Sequence, residues 1–458
     1  MDAIDVDLLV IGFGKGGKSL AATMGRLGKR VAMVEQSAEM YGGTCINIGC
    51  VPTKSLVHHA EHPGTGKPGE RHRTAIEATR VLTTRLRTAN FAMLDTIDSV
   101  TVITGRAAFL DPKTVQVTRG EDVLTVHAET IVINTGAAPT VPPIPGLADS
   151  EHLLTSTDLI AIDHLPKRLT ILGGGYVGVE FASMYAQFGS AVTVLDAAER
   201  IMPREDEDIA AAATEILRGA GVEFVTDAHV TLVRDIDNGV EITYQRDGRT
   251  HTLAADKVLA ATGRKAATEG LGLDRAGVRT TSFGAVEVDE HLRTSQPHIF
   301  AVGDVNGGPQ FTYISLDDNR VVADQLLGSG ARSTKDRTHV PFTVFMSPPL
   351  ARVGLTEREA HEQGLSIKVL EKPIADIAAM PRPKIVGETR GLMKFLIDRE
   401  TDRLVGAALL SVDAQEVINL VAFAMRHDVP ASELRDAIYT HPSSTEALNE
   451  VLSMPPVR

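Results

Sequence analysis

Apolar residues in this chain gather into short unbroken runs set between longer stretches of helical spacing. Residues 7–11, 31–34, 130–134, 169–172, 192–195, 257–261 and 298–302 are such runs, and they predict strands buried on both faces, as in a parallel sheet. Between them, residues 18–27 carry Leu20, Ala21, Met24 and Leu27 on one side, and residues 74–94 and 310–324 predict further helices. Residues 100–109, 114–118 and 125–127 predict an antiparallel β-insert. From Val340 onward a third region is expected, with strands at 352–355, 367–370, 392–397 and 404–410. The 398–403 connection joins the last two strands, and a helix follows at 415–425 with Val417, Leu420, Val421 and Ala424 on one side. Residues 58–73 hold His58, His59, His62 and His72 among Gly, Pro and charge, and predict an exposed loop. Imidazole suits copper or zinc, but no second cluster of ligands supports a metal there, and no metal site is expected.

Two of the apolar runs end in glycines at a defined spacing. The first passes into Gly12-Phe13-Gly14-Lys15-Gly16-Gly17, which places G-x-G-x-x-G at 12, 14 and 17. The second passes into Gly173-Gly174-Gly175-Tyr176-Val177-Gly178, with the same pattern at 173, 175 and 178. The first glycine permits a tight turn, the second lets a pyrophosphate approach the backbone, and the third lets helix and strand pack closely. Each unit then reaches a further strand ending in an acid, Glu35 or Asp196, roughly 20 residues on, where a ribose hydroxyl pair would be held. Strand, glycines, helix, strand and acid in this order predict a Rossmann-like dinucleotide unit, and two copies predict two dinucleotides. Asp196 should repel a 2′-phosphate, which favours NADH over NADPH. Ala197 and Ala198 follow it, although Arg200 and Arg204 stand nearby.

The chain's two cysteines, Cys45 and Cys50, share the stretch from Gly42 to Lys54. Such a pair is a redox couple, half of a metal site, or two unrelated buried thiols. A zinc site needs about four ligands, and no further cysteine exists. A regular helix would hold the two apart, while Gly42, Gly43 and Gly49 allow a distorted turn that closes the gap. A net charge of −13 argues against a nucleic-acid partner, and no apolar run is long enough to span a membrane. The chain opens directly on a strand-like segment, so a cytoplasmic protein is expected.

The wording MYGGTCINIGCVPTK resembles the active-site helix of the class I pyridine nucleotide–disulfide oxidoreductases. These flavoproteins include dihydrolipoamide dehydrogenase, glutathione reductase and mercuric reductase. The resemblance runs over essentially the whole chain. PREDEDIA, QFTYISLDDNR and FMSPPLARVGLT are similar to the reactive-chlorine-resistance, or hypothiocyanous acid reductase, subgroup in particular. It implies an α/β fold with two Rossmann-like domains, for FAD and for NAD, and a C-terminal α+β dimerisation domain. The corresponding boundaries are 1–149 for the first part of the FAD domain, 150–270 for the NAD(P)H domain, 271–339 for the second part of the FAD domain and 340–458 for the interface. Cys45 would be the interchange thiol that meets substrate and Cys50 the thiol against the flavin. Lys54 and Glu180 would pair across domains near the two rings. His441, oriented by Glu446, would serve as acid–base group for Cys45 in the other subunit of a homodimer. The cofactor-binding set would be Gly12, Gly14, Gly17, Glu35, Gly43, Thr44, Thr135, Gly136, Gly173, Gly175, Tyr176, Gly178, Asp196, Gly263, Arg264, Gly303 and Asp304, with Asp304 on the FAD ribitol.

The implied activity is NADH-driven reduction of a small oxidant through a Cys45–Cys50 disulfide, hypothiocyanous acid or a related reactive chlorine species foremost. Mercuric reductase-like turnover would need a second cysteine pair, and residues 453–458 hold none. Dihydrolipoamide dehydrogenase carries a second His just before its His-Pro pair, whereas Tyr439 and Thr440 stand there in this chain. FTYISLDDNR also replaces the family's usual LAHxA-type segment, which argues against the glutathione and lipoamide branches. A flavoprotein redox sensor or subunit of a larger complex is the alternative from another class.

Overall fold

The computed structural model describes residues 2–458. The first sheet has at its centre Asp2–Ile11, flanked in parallel by Val31–Glu35 on one side and Asp122–Ile133 on the other. Val100–Thr104 extends it beyond Val31–Glu35, and Ile299–Ala301 pairs in parallel with the far end of Asp122–Ile133. The second sheet is also parallel, in the order Val222–Val225, Ala191–Leu195, Arg168–Leu172, Lys257–Ala260 and Leu153–Leu154. A three-stranded antiparallel sheet, His229–Ile236, Gly239–Arg246 and Arg249–Ala255, lies between its last strands in sequence. The third large sheet is antiparallel, in the order Phe342–Val344, Leu350–Gly354, Leu404–Leu410, Leu392–Asp398 and Ile367–Pro373. The fold is therefore the expected α/β architecture with two dinucleotide-type units and a C-terminal α+β layer.

The apolar runs are buried because helices cover their sheets. Every residue of Val31–Glu35 is buried, as the unbroken pattern requires. Lys15–Arg26 and Thr312–Leu327 pack against one another over the first sheet, with Leu20, Val321 and Val322 in one core with Leu8 and Val10. Tyr176–Phe188 covers the second sheet and also meets Leu56 and Ala60 of the cysteine helix together with Val344 and Leu350 of the third sheet and Met346 between them. That shared core holds the cysteine helix, the second sheet and the third sheet in a fixed relation around the site.

Three expectations are corrected. The exposed loop expected at 58–73 is confined to residues 62–67, because Cys50–Glu61 and Pro68–Asp95 are helices, although residues 61–70 are all exposed. His72 is fully buried against Tyr185 and Phe188, because it lies on the same helix face as Ala75, Ile76, Thr79 and Thr83. Residues 100–109 are not one antiparallel strand. Gly105 divides them, with Val100–Thr104 joining the parallel sheet and Arg106–Asp111 turning into a hairpin with Thr114–Arg119. Residues 125–127 and 130–134 are not separate strands either. Asp122–Ile133 runs through both, antiparallel to the hairpin at one end and parallel to the central strand along its length.

Candidate active site

The first glycine turn is built around Asn134, at the end of the long strand. Its Oδ1 accepts from Gly17 N at 2.8 Å, and its Nδ2 donates to Val302 O at 2.7 Å. It thus ties the Lys15–Arg26 helix to strands on both sides. Ser315 Oγ accepts from Gly16 N at 3.0 Å, fixing the same helix to Thr312–Leu327. Glu35 closes the turn from the other side: Oε2 accepts from Phe13 N at 3.0 Å and Oε1 from Ser37 N at 3.3 Å. Burial pushes its carboxyl above the usual range, against the pull of these amides.

The second turn repeats this bonding. Asp196 Oδ2 accepts from Gly174 N, and Oδ1 accepts from Ala198 N at 2.7 Å. Gly174 follows the first glycine as Phe13 does, and Ala198 stands two residues past the acid as Ser37 does. In both copies the acid braces the phosphate-type turn while facing the cleft. Arg200 is turned away from that role, since its guanidinium donates to Pro203 O and Glu205 O. Arg204 does line the cleft.

The cysteine stretch is two short helices, Gly43–Asn47 and Cys50–Glu61, broken at Ile48 and Gly49. The break brings Cys45 and Cys50 into hydrogen-bond contact as free thiols. Gly43 has φ +74°, and a Cβ there would stand 2.8 Å from Gly14 Cα, so a side chain would push the cysteine segment off the first glycine turn. Cys50 is lowered to about 6, first by the hydrogen bond from Cys45, then by the Thr312 hydroxyl at 3.4 Å and the Lys54 charge, against the cost of burial. Cys45 is pushed up, by that same hydrogen bond to Cys50 and by burial. Within one chain Cys50 is therefore the ready thiolate, and Cys45 needs a base.

Lys54 Nζ lies 2.8 Å from Glu180 Oε2 and 4.7 Å from the centroid of the Phe345 ring. Glu180 Oε1 accepts from Phe345 N at 2.7 Å. One carboxylate thus joins the cysteine helix, the second unit's helix and the third region. Opposite, Arg264 donates to Ala137 O and faces Asp304, whose carboxyl is pushed up by burial and held back by Arg264. His441 Nδ1 is 2.8 Å from Glu446 Oε1, and Ser443 N donates to Glu446 Oε2 at 2.8 Å. The imidazole is exposed and does not line the cleft beside its own chain's thiols.

Of the residues expected to carry catalysis or hold a cofactor, all but Gly17, Gly178, His441 and Glu446 line one cleft of about 2260 Å³. Gly17 and Gly178 lie inside their helices, at the crossings with the preceding strands. The cleft is larger than a single drug-sized pocket of roughly 300–1,000 Å³ and runs from one glycine turn past the thiols to the other. Thr135 Oγ1 is buried at its wall without a hydrogen-bond partner among the described residues, an open position for a bound group. Sequence reasoning missed Asn134, Ser315, Thr312, Glu205 and Arg352. Asn134 carried a local signal, a polar residue closing an apolar strand before Thr135-Gly136, whereas Glu205, Thr312, Ser315 and Arg352 lie in PREDEDIA, QFTYISLDDNR and FMSPPLARVGLT, stretches that carried the resemblance without marking these residues.

Among the described residues no group of three or more His, Cys, Asp or Glu is placed to hold a metal, and no helix is long and apolar enough to cross a membrane. Residues 6–318 match the family model described as pyridine nucleotide-disulphide oxidoreductase, and residues 340–452 match that family's dimerisation domain. The chain is 47% identical over 447 residues to the probable pyridine nucleotide-disulfide oxidoreductase RclA of Escherichia coli K12, covering 97% of this chain and 98% of that one. It is 34% identical over 455 residues to a mercuric reductase of Staphylococcus aureus, covering 97% of this chain and 81% of that one. The solved Cu(II) complex of HOCl-induced flavoprotein disulfide reductase RclA from Escherichia coli superposes with a TM-score of 0.93 at 46% identity, covering 98% of this chain and 99% of that one. The chain belongs to the pyridine nucleotide-disulphide oxidoreductase family and is a flavoprotein enzyme of the disulfide reductase kind, whose members use FAD and NAD(P)H and pair through a dimerisation domain.

Proposed function

We propose that this enzyme passes electrons from NADH, through the Cys45–Cys50 pair, to a small electrophilic oxidant, with hypothiocyanous acid the preferred class. The observation that carries the reading is the contact between a lowered Cys50 and a raised Cys45 on the wall of a cleft that both glycine turns also line. FAD would lie along the first turn, held by Gly12, Gly14, Glu35, Gly43, Thr44, Thr135, Gly136, Gly303 and Asp304. NADH would lie along the second, held by Gly173, Gly175, Tyr176, Asp196, Gly263 and Arg264. When bound, the flavin supplies two-electron transfer between the nicotinamide and the disulfide.

The chain's own residues then have distinct tasks. Lys54, braced by Glu180, holds positive charge one helical turn from Cys50 and keeps its thiolate stable. Cys45 is deprotonated by His441 of the partner subunit, whose ring is oriented by the carboxylate corresponding to Glu446. The Cys45 thiolate attacks the sulfur of hypothiocyanous acid, forming a Cys45–S–SCN adduct and releasing hydroxide, which the imidazolium protonates to water. Cys50 Sγ then attacks Cys45 Sγ, forming the disulfide and releasing thiocyanate. Asp196 disfavours a 2′-phosphate, and Arg200 is committed to backbone carbonyls, which supports NADH over NADPH.

The test is steady-state NADH oxidation with hypothiocyanous acid, oxidised lipoamide, Hg(II), Cu(II) and quinones as acceptors, run beside Cys45→Ser. The expected result is a preference for hypothiocyanous acid that Cys45→Ser removes. Full activity in the Ser variant with the preferred acceptor would mean that electrons bypass the thiols.

A further inference from the structure

Tyr176 opens the Tyr176–Phe188 helix and lines the cleft beside the second glycine turn. Its phenol is not left to solvent. It donates to Glu205 Oε1, and the Glu205 side chain is fully buried. Glu205 Oε2 lies 3.2 Å from Arg352 Nε, on the Leu350–Gly354 strand of the third sheet. The Arg352 guanidinium stands 4.9 Å from the centroid of the Phe342 ring, and that ring lies 5.3 Å from the Tyr176 ring. The four side chains therefore close a circuit: phenol to carboxylate, carboxylate to guanidinium, guanidinium over ring, ring to ring. Arg352 Nη1 is also 3.6 Å from Glu359 Oε2, and Glu359 itself caps Thr356 N at 2.8 Å.

The energetics of this circuit are those of a constraint. A buried carboxylate is tolerated only while its partners stay in place, so Glu205 holds both Tyr176 and Arg352 to one arrangement. Burial raises the Glu205 carboxyl and Arg352 opposes that rise; burial and the same carboxylate raise the Tyr176 phenol. Nothing in this circuit touches the thiols or the Lys54–Glu180 pair. It reaches the cleft through Tyr176 and through Phe342, whose ring packs on Tyr176.

We propose that Glu205 and Arg352 are positioning residues for the NADH half of the cleft, fixing Tyr176 so that the third region sets how firmly NADH is held. This rests on the reading that the second glycine turn takes NADH. Prepaying the ordering of Tyr176 strengthens nucleotide binding, because the side chain loses less freedom on association. Arg352 meets Glu205 through Nε at 3.2 Å while its guanidinium lies over the Phe342 ring, two contacts that a lysine ammonium would not make together.

The experiment uses the flavin-loaded enzyme and its Arg352→Met, Arg352→Lys, Glu205→Gln, Tyr176→Phe and Tyr176→Phe/Arg352→Met variants. NADH KM, kcat and the NADH dissociation constant are measured, and Tyr176 nitration by tetranitromethane is mapped by peptide mass spectrometry. Arg352→Met and Glu205→Gln are expected to raise NADH KM several-fold with a smaller change in kcat, and to make Tyr176 reactive to nitration. Arg352→Lys should fall between Arg352→Met and the parent. The double variant should match Tyr176→Phe in KM within about twofold, because Arg352 acts through Tyr176. Parental KM and an unreactive Tyr176 in folded Arg352→Met or Arg352→Lys would overturn the inference, and so would effects that multiply in the double variant. Absence of NADH binding to the parent enzyme would overturn the nucleotide reading itself, whatever the variants do.

Discussion

Lys54 and Glu180 form one ion pair, yet removing each should move Cys50 in opposite directions. Lys54 follows Cys50 by four residues on the same helix, a spacing that sets Cβ atoms roughly 5–6 Å apart. The Lys54 charge is one of the causes that hold Cys50 low, and an opposite charge within about 4–6 Å lowers a neighbouring acid by about 1–3 pH units. Glu180 Oε2, at 2.8 Å from Lys54 Nζ, cancels part of that field, so the lower end applies. Lys54→Met should therefore raise Cys50 from about 6 to a midpoint near 7, a change of roughly 1.4 kcal/mol in thiolate stability. Glu180→Gln keeps an acceptor for Phe345 N but frees the ammonium's field, so Cys50 should fall by a few tenths of a unit. The assay is the rate of iodoacetamide alkylation of the reduced protein from roughly pH 5 to pH 9, with the label mapped to Cys50. Thermal unfolding of each variant checks that the fold is retained. An unchanged midpoint in Lys54→Met, or shifts of the same sign in both variants, would refute the electrostatic account and leave only local packing.

Two further outcomes follow from residues outside the thiol chemistry. Asn134→Ala leaves Gly17 N and Val302 O without their buried partner, so it should cost about 2–4 kcal/mol in denaturant unfolding and weaken flavin retention; a change below about 0.5 kcal/mol would show that water replaces the side chain. His72 is lowered to about 4, chiefly by burial, so between about pH 6.5 and pH 4 the unfolded chain takes up a proton that the folded one refuses. Stability should fall by roughly 3 kcal/mol as pH drops through that window. His72→Phe should flatten the dependence when urea midpoints are compared at the two ends.

The glycine turns and their acids were legible because the backbone permits few alternatives at those positions. A turn that must admit a phosphate and pack a helix on a strand leaves its mark in residue type at fixed spacing. The cysteine break was legible for the same reason, through Gly43 and Gly49. Asn134, Ser315 and the Glu205–Arg352 circuit were not, because each joins residues far apart in sequence and common polar residue types say nothing of their partners. The misread 58–73 stretch has a different cause. His72, Ala75, Ile76, Thr79 and Thr83 follow helical spacing, but His and Thr count as polar, so the buried face was hidden. Gly105 misled in the opposite way, since an apolar run on each side of it concealed a change from parallel to antiparallel pairing.

The partnership of Asp122–Ile133 with Ile299–Ala301 bears on how this chain is made. The ribosome delivers the second parallel sheet in full before the strand that completes the first one emerges. Until then the edge of Asp122–Ile133 from Ile131 to Ile133 has no neighbour, an apolar border open to other nascent chains. Early folding of the nested unit shortens the distance the late strand must search, and a message truncated before residue 299 would yield a product with that border permanently bare.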